Sequence, residues 1–465
     1  MRFRTSRCRA FGRFALATLL AALWLGNLDT TQAADWQAGS ARANITPDRP
    51  IWMSGYASRD RPADGTLHDL WAKVLVVQDP AGERIALITL DLVGIDRQFS
   101  KEVCVRLEKD FGLARRQVAL ACSHTHTGPV IGDNLRPMYG LTPQQESDIL
   151  EYTHGVQAKI VAAVGEAIQQ LTPCTIESGI GQATFAVNRR TNPEPQVPEL
   201  RAAGKLAGPV DHDVPVLRVT STEGKLLAVV FGYACHATTL SFFQWSGDYP
   251  GFAQLALEKA HPGTTAMFFA GCGADQKPLP RRTVELAQNY GEQLAASVEA
   301  VLAKPMTPIT SASGDAGLKS VYEEAALPFA ELPSREKLTS DSSSSDRYVA
   351  GRAKFLLAKI EAGQALSPTY PYPVQTWRLG RDLTWVWLGG EVVVDFSIRL
   401  KSELGAKLWV GAYANDVMAY IPSRRVLVEG GYEGGGAMVY YGLPTVWAPE
   451  VEEVIVKEVL RQTQK

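Results

Sequence analysis

Two histidines stand two positions apart at the end of an apolar run. Val118-Ala119-Leu120-Ala121-Cys122 leads into Ser123-His124-Thr125-His126-Thr127-Gly128-Pro129. On an extended chain, side chains i and i+2 share a face, so a strand running into this stretch aims both imidazoles at one spot. Gly128-Pro129 then turns the chain away and leaves room for a ligand. Imidazoles paired in this way bind a metal ion when further donors join them. Without such donors they are two hydrogen-bonded histidines at a strand end. Only seven histidines occur, so a third in a comparable position carries weight. His236 is that residue: it follows the apolar run 226–234 and precedes Ala237-Thr238-Thr239. His68, His154, His212 and His261 fall in loops, inside a helical stretch or at a helix end, and read as structural.

The segments that would position these groups alternate between strand and helix patterns. Residues 70–78 alternate in part through Trp71, Val74 and Val76, and Asp79-Pro80-Ala81-Gly82 is a hairpin turn signal. Residues 84–92 read as a buried strand with Asp91 near its end. Residues 100–111 carry Val103, Val105, Leu107 and Phe111 at helical spacing, and 144–171 form a long helical stretch rich in Ala, Val and Ile. A strand pair, 214–220 and 226–234, turns at Glu223-Gly224. The buried strand 265–270 ends at Gly271-Cys272-Gly273-Ala274-Asp275, and 283–302 is helical. Residues 376–388 deliver Gly389-Gly390-Glu391, 392–404 are helical, 408–414 end at Asn415-Asp416, and 449–461 form an amphipathic helix. This alternation predicts an α/β fold with a mixed β-sheet core flanked by helices. Asp91, His124, His126, His236, Asp275, Glu391 and Asn415 all fall at or just past strand ends, where open α/β sheets place their ligands. The expected metal site therefore lies at strand C-terminal ends. Asp91 reads equally as a group that orients an imidazole and as a helix N-cap or turn residue.

Composition narrows the function classes. With 46% hydrophobic and 21% charged residues the chain reads as soluble and globular. A net charge of −2 leaves no electrostatic footprint for nucleic acid. Residues 1–34 read as a cleaved secretory signal peptide: Arg2, Arg4, Arg7, Arg9 and Arg13 precede the apolar run 14–25, and Thr31-Gln32-Ala33-Ala34 offers small residues for cleavage. No later apolar run is long enough to span a bilayer, so the expectation is a secreted or periplasmic protein without a transmembrane segment. Residues 35–465 are then one catalytic domain. Within it, 305–375 differs in composition, with Glu323-Glu324, a polar run at 339–346 and a helical segment at 348–360, and reads as an insertion or cap. Of six cysteines, Cys8 leaves with the signal. Cys104, Cys122, Cys174, Cys235 and Cys272 form no CxxC pair and read as small buried residues rather than a disulfide framework.

Several short stretches, taken in order, resemble the neutral/alkaline ceramidase family, specifically its catalytic N-terminal domain. They are Ala43-Asn44-Ile45-Thr46-Pro47 with Met53-Ser54-Gly55-Tyr56, then Thr89-Leu90-Asp91-Leu92, the histidine stretch 123–129, and Asn188-Arg189. Cys235-His236 with Ser246-Gly247-Asp248-Tyr249-Pro250-Gly251 follows, then Gly390-Glu391, Asn415-Asp416 through Tyr420, and Tyr432-Glu433-Gly434. The resemblance runs nearly the length of the mature chain. It implies a zinc amidohydrolase of lipid or sphingolipid metabolism, with His124, His236, Glu391 and Tyr420 holding one catalytic Zn2+. Imidazoles and a carboxylate are ordinary zinc donors, and a phenol beside the ion should lose its proton readily. By the same resemblance His126 is a proton-transfer group one step off the metal, and Arg189 holds the substrate carbonyl or developing oxyanion. The expected partner is a small-molecule or lipid-like amide.

Two departures from the family pattern bear on substrate. Ceramidases carry a serine, in an Asp-x-Ser-Pro context, after the strand matching 265–270. Here the stretch is Gly273-Ala274-Asp275-Gln276-Lys277-Pro278, with Lys277 at that position. Lysine is not an acyl-accepting hydroxyl. The expectation is therefore direct attack by a zinc-activated water, together with a changed substrate. Lys277 itself reads either as a partner for an anionic group on the substrate or as a surface lysine in a turn. Longer family members also continue into a C-terminal β domain, which this chain is expected to lack. The function so read is a secreted zinc-dependent hydrolase that cleaves an amide C–N bond. Cleavage of an ester or a sugar-linked group at the same metal site, and a non-catalytic binding protein on the same fold, are the other readings.

Overall fold

The computed structural model of the protein describes residues 36–311, 317–405 and 407–464; the expected signal segment 1–34 lies outside them. Alternating burial in the early strands sets the layers. In Trp71–Gln78, Val74 and Val76 join one apolar cluster while Leu75 and Val77 join another. Arg84–Leu90 does the same, with Ile88 and Leu90 on the first side and Ile85 and Leu87 on the second. A two-residue period with both faces apolar produces a sheet buried on both sides.

That sheet is mixed. Its strands lie in the order Thr265–Ala270, Leu226–Tyr233, Asp213–Ser221, Thr172–Gln182, Trp36–Asn44, Trp71–Gln78, Arg84–Leu90, Val118–Cys122, with the short Thr307–Pro308 paired to Thr172–Gln182. The two outermost pairs are parallel and the inner pairs antiparallel. Helices Arg97–Phe111 and Pro143–Gln169 pack on the face presented by Val74 and Ile88, through Val103, Leu107, Val156 and Ile160. The first begins before its periodic pattern does because the Asp96 side chain accepts from the Phe99 amide, and it stops where Gly112 turns left-handed. The second starts in a capping box between Thr142 and Gln145.

The other face meets a second sheet of four strands, Leu318–Pro328, Thr369–Leu379, Leu383–Leu388 and Leu408–Gly411. Trp377, Trp385, Trp387 and Trp409 point between the sheets and pack with Leu87, Val230 and Phe269. Val374, Val386 and Leu388 point outward onto helices Val394–Leu404 and Val451–Thr463, meeting Phe396, Leu400, Ile455 and Val459. The α/β architecture is thus a helix–sheet–sheet–helix stack. Of residues 305–375, Leu318–Pro328 and Thr369–Leu379 are strands of this second sheet. Helices Arg335–Asp341 and Arg347–Glu361 between them hold a small cluster of their own, Leu338, Ala353 and Leu356. Five cysteines, Cys104, Cys122, Cys174, Cys235 and Cys272, are buried and unpaired.

Residues 412–417 stitch the two sheets together at the strand ends. The Ala412 amide donates to Ala270 O at 2.8 Å and the Cys122 amide to Tyr413 O at 3.1 Å. Asn415 does most. Its amide donates to Leu120 O at 2.7 Å, its Oδ1 accepts from the Leu120 amide at 3.1 Å, and its Nδ2 donates to Gln375 Oε1 at 2.8 Å. It also sits in the left-handed region (φ 67°), which asparagine tolerates better than most residues. Asn415→Ala is expected to cost about 2–4 kcal/mol of stability, read as a lowered denaturation midpoint. A loss below ~1 kcal/mol would show that the stitch is not held by this side chain.

Candidate active site

His124 lies two residues past Val118–Cys122, but the strand does not run into it. Its φ is 60°, so the shared face expected of an extended chain is absent and the chain instead kinks left-handed. The kink still brings the rings together: His126 Nε2 is 3.1 Å from His124 Nε2, with the ring planes at 84°. His236 follows Leu226–Tyr233 by three residues. Glu391 opens the two-residue strand Glu391–Val392, paired in parallel with Tyr420–Ile421, so that Glu391 stands opposite Tyr420. The left-handed Gly390 (φ 73°) makes this entry possible, since a Cβ there would stand 2.7 Å from Ala419 O.

The six residues given metal-binding or catalytic roles by the resemblance form one unbroken line. His126 Nε2 touches His124 Nε2 at 3.1 Å, His124 Nε2 touches Glu391 Oε2 at 3.1 Å, and Glu391 Oε2 touches His236 Nε2 at 3.0 Å. His236 Nε2 is then 3.2 Å from the Tyr420 hydroxyl, to which Arg189 Nη2 donates at 3.1 Å. Both His124 and His236 commit Nδ1 to a backbone carbonyl, Val93 O at 2.6 Å and Gly273 O at 2.8 Å. With the Nδ1 proton spent there, each ring turns Nε2 toward Glu391 Oε2. That oxygen is buried and accepts no hydrogen bond.

The surroundings reinforce this distribution of charge. Burial first, then Arg189, push the His236 imidazole down to about 3. Burial first, then His124 and His236, hold His126 well below the usual imidazole value. Burial and then Glu391 keep the Tyr420 phenol protonated, with Arg189 pulling the other way. Arg189 is fixed from behind: its Nε donates to Glu433 Oε1 at 2.6 Å and its amide to Asp275 O at 2.8 Å.

Several further side chains were given no role from the sequence. The buried Tyr413 lies over His124 with ring centroids 4.3 Å apart. Tyr441 donates to Glu391 Oε1. Glu433 anchors both Arg189 and Arg190. Asp91, by contrast, orients no imidazole. It is buried, accepting from the Trp71 amide at 3.0 Å and from Gln254 at 3.5 Å, and the ring-orienting acceptors are the carbonyls of Val93 and Gly273. Asp275 serves as a brace, its carboxylate accepting from the Val394 amide and from Asn188 Nδ2, both at 3.0 Å. Lys277 is half-buried on the strand Gln276–Pro278, paired with Ala186–Asn188, and not in a surface turn. It lines a cavity of about 640 Å³ into which His126, His236, Arg189 and Tyr420 also face.

Residues 36–288 match the family model for neutral/alkaline non-lysosomal ceramidase, N-terminal. The chain belongs to this ceramidase family. Neutral ceramidase 1 of Arabidopsis thaliana is 26% identical over 297 residues, covering 60% of this chain and 37% of that protein. Neutral ceramidase of Drosophila melanogaster is 26% identical over 258 residues, covering 52% and 36% respectively. The chain thus spans little more than a third of the length of these curated relatives. Among solved structures, the neutral ceramidase from Pseudomonas aeruginosa matches 93% of this chain and 75% of its own, at 20% identity and a TM-score of 0.68. That likeness establishes the shared fold.

One position in this family member tests the geometry directly. Gly55 has φ +95°, and a Cβ there would stand 2.5 Å from His126 Nδ1. Gly55→Ala is therefore expected to lower stability by about 1–3 kcal/mol and to displace the His126 ring. A thermal midpoint and the His126 imidazole NMR signals check this; unmoved signals would show that Gly55 does not seat that ring.

Proposed function

We propose that this protein is a zinc-dependent amidohydrolase of the ceramidase family, hydrolysing the C–N bond of an N-acyl substrate. The observation that carries the reading is the convergence of His124 Nε2 and His236 Nε2 on Glu391 Oε2 in a buried site, with both Nδ1 atoms held by backbone carbonyls. Such a cluster suits a bound cation. Two donors on a tetrahedral zinc, bonded at about 2.0–2.1 Å, stand about 3.3 Å apart. Separations of 3.1 Å for His124–Glu391, 3.0 Å for His236–Glu391 and 3.2 Å for His236–Tyr420 support that set. The imidazole nitrogens of His124, His126 and His236 also lie within 4.8 Å of one another. Ligating histidines almost always spend their other nitrogen on a carbonyl or carboxylate. His124 and His236 do so, whereas His126 Nδ1 has no hydrogen-bond partner. We therefore assign His124, His236, Glu391 and Tyr420 as ligands and leave His126 facing the substrate.

When bound, zinc supplies Lewis-acid polarisation of a carbonyl and acidifies water. The remaining roles fall to the chain. Arg189, braced by Glu433, presents its guanidinium where negative charge grows on the carbonyl oxygen. His126, neutral because it is buried among imidazoles, takes a proton on Nε2 from the attacking water and returns it to the departing amine. Tyr413 and Tyr441 hold His124 and Glu391 in place and keep bulk water out. Membership of the family supports a lipid-like amide as the substrate class. Export from the cytoplasm rests on the sequence of residues 1–34 alone.

The purified protein is expected to carry one zinc per chain, measured by elemental analysis, and His124→Ala or Glu391→Ala to carry almost none. Hydrolysis of short N-acyl amides should stop with chelator and return with zinc. His126→Ala should lower kcat about 10²–10⁴-fold and Arg189→Ala about 10²–10³-fold, both with metal retained. Metal-free wild type that hydrolyses amides regardless of chelator would sink the assignment, and faster cleavage of matched esters would move the reaction to that bond.

A further inference from the structure

The cavity in front of His126 is unusually rich in charge for a site meant to hold only a neutral amide. Its carboxylates are all spoken for. Both oxygens of Glu194 accept from Arg281 Nε at 3.1 Å. Glu429 accepts from Arg190 at 2.9 Å, and Glu433 from Arg189 and Arg190 at 2.6 and 2.7 Å. Among the described residues, Lys277 is the one cation lining this cavity with neither an ion pair nor a hydrogen bond at its ammonium. It is held there by a strand ladder, opposite Val187, with Gln276 and Pro278 buried on either side. The side chain is therefore presented to the cavity by the fold rather than drawn there by a partner.

A half-buried ammonium beside other cations is costly unless an anion joins it. Burial first, then Arg189 and Arg281, push Lys277 down to about 7, with Glu194 and Glu433 pulling the other way. A carboxylate entering the cavity reverses that penalty and gains a charge-assisted hydrogen bond. A neutral lipid alcohol does neither.

Resting on the amidohydrolase reading, we propose that the preferred substrate carries a carboxylate on one of the two halves joined by its scissile amide, paired by Lys277 beside Arg281. Hydrolysis consumes one water: the C–N bond breaks, hydroxyl joins the acyl carbon and the proton goes to the amine. The product pair is then a fatty acid and an amino acid, or a diacid and a neutral amine, according to which half bears the carboxylate.

Three substrates of matched length separate these outcomes: N-hexanoylserine, the serinol monoamide of adipic acid, and neutral N-hexanoylserinol. The zinc-loaded protein is expected to favour one of the two acids over the neutral amide by about tenfold or more in kcat/KM, mainly through KM. Lys277→Gln should collapse that ratio, and Lys277→Arg should retain most of it. Equal use of neutral and acidic amides by wild type, or an undiminished ratio in Lys277→Gln, overturns the proposal while leaving the amidohydrolase reading intact. Calorimetric binding of ketone isosteres of the same compounds covers the opposite case. Carboxylate-dependent binding lost in Lys277→Gln, with no turnover of any amide, would uphold the anion site and sink the amidase reading. Equal binding of acidic and neutral isosteres would overturn the anion site.

Discussion

Everything around the site answers one constraint: His124 Nε2, His236 Nε2 and Glu391 Oε2 all converge on the same small volume. That arrangement crowds three polar atoms into a buried site. It is held because each group is fixed from behind by something it cannot easily leave. The two imidazoles are tied by Nδ1 to the carbonyls of Val93 and Gly273, and Glu391 Oε1 accepts from Tyr441. Those carbonyls belong to loops that leave the carboxyl ends of Arg84–Leu90 and Thr265–Ala270. The strand ends therefore position the acceptors that orient the rings, as well as the rings themselves.

Strain gathers at the same place. His124, Tyr413 and Asn415 all carry left-handed backbone, at φ 60°, 53° and 67°. Each such residue costs about 1–2 kcal/mol. The conformations persist because the surrounding contacts over-determine them. Asn415 is locked between the two sheets through Leu120 and Gln375, and Tyr413 lies over His124. The stacked sheets, with four tryptophans between them, form a rigid base against which this loop can be bent. An open single-sheet protein would have no second surface to receive residues 412–417.

Much of this was readable beforehand, for physical reasons that also mark where reading failed. Period-two alternation and apolar runs identify strands, and polar groups just past them identify the working edge, so His124, His236 and Glu391 stood out by position. Helical spacing located the two helices at 100–111 and 144–171, but their caps at Asp96 and Thr142 emerged only from the structure. The second sheet was not legible, because Trp377, Trp385 and Trp387 alternate as any half-buried strand would and nothing local says that the other face meets a sheet. The orientation of the histidines was not legible either: carbonyl acceptors have no sequence identity, so the two readings of Asp91, imidazole-orienting group or cap and turn residue, could not be separated. Tyr413, Tyr441 and Glu433 act through contacts across long stretches of chain and are ordinary residues in their own neighbourhoods.

The division of labour in the site explains how the residues we propose as metal ligands can stay fixed while the rest of the cavity changes. His124, His236, Glu391 and Tyr420 are interlocked, so that moving one disturbs the acceptors of the next. Lys277 is outside that lattice. Its strand is fixed by backbone pairing with Ala186–Asn188, and its ammonium hydrogen-bonds to no described residue. A side chain there can change from hydroxyl to ammonium with no loss of a donor or acceptor elsewhere. What changes is the field in the cavity. The carboxylates of Glu194, Glu429 and Glu433 are already neutralised by Arg281, Arg190 and Arg189. An added ammonium is therefore uncompensated, and in a partly desolvated cleft an uncompensated charge is felt strongly by whatever enters. Selection of substrate by charge can thus shift through one residue, because the chemistry beside it is built from groups that do not depend on that residue.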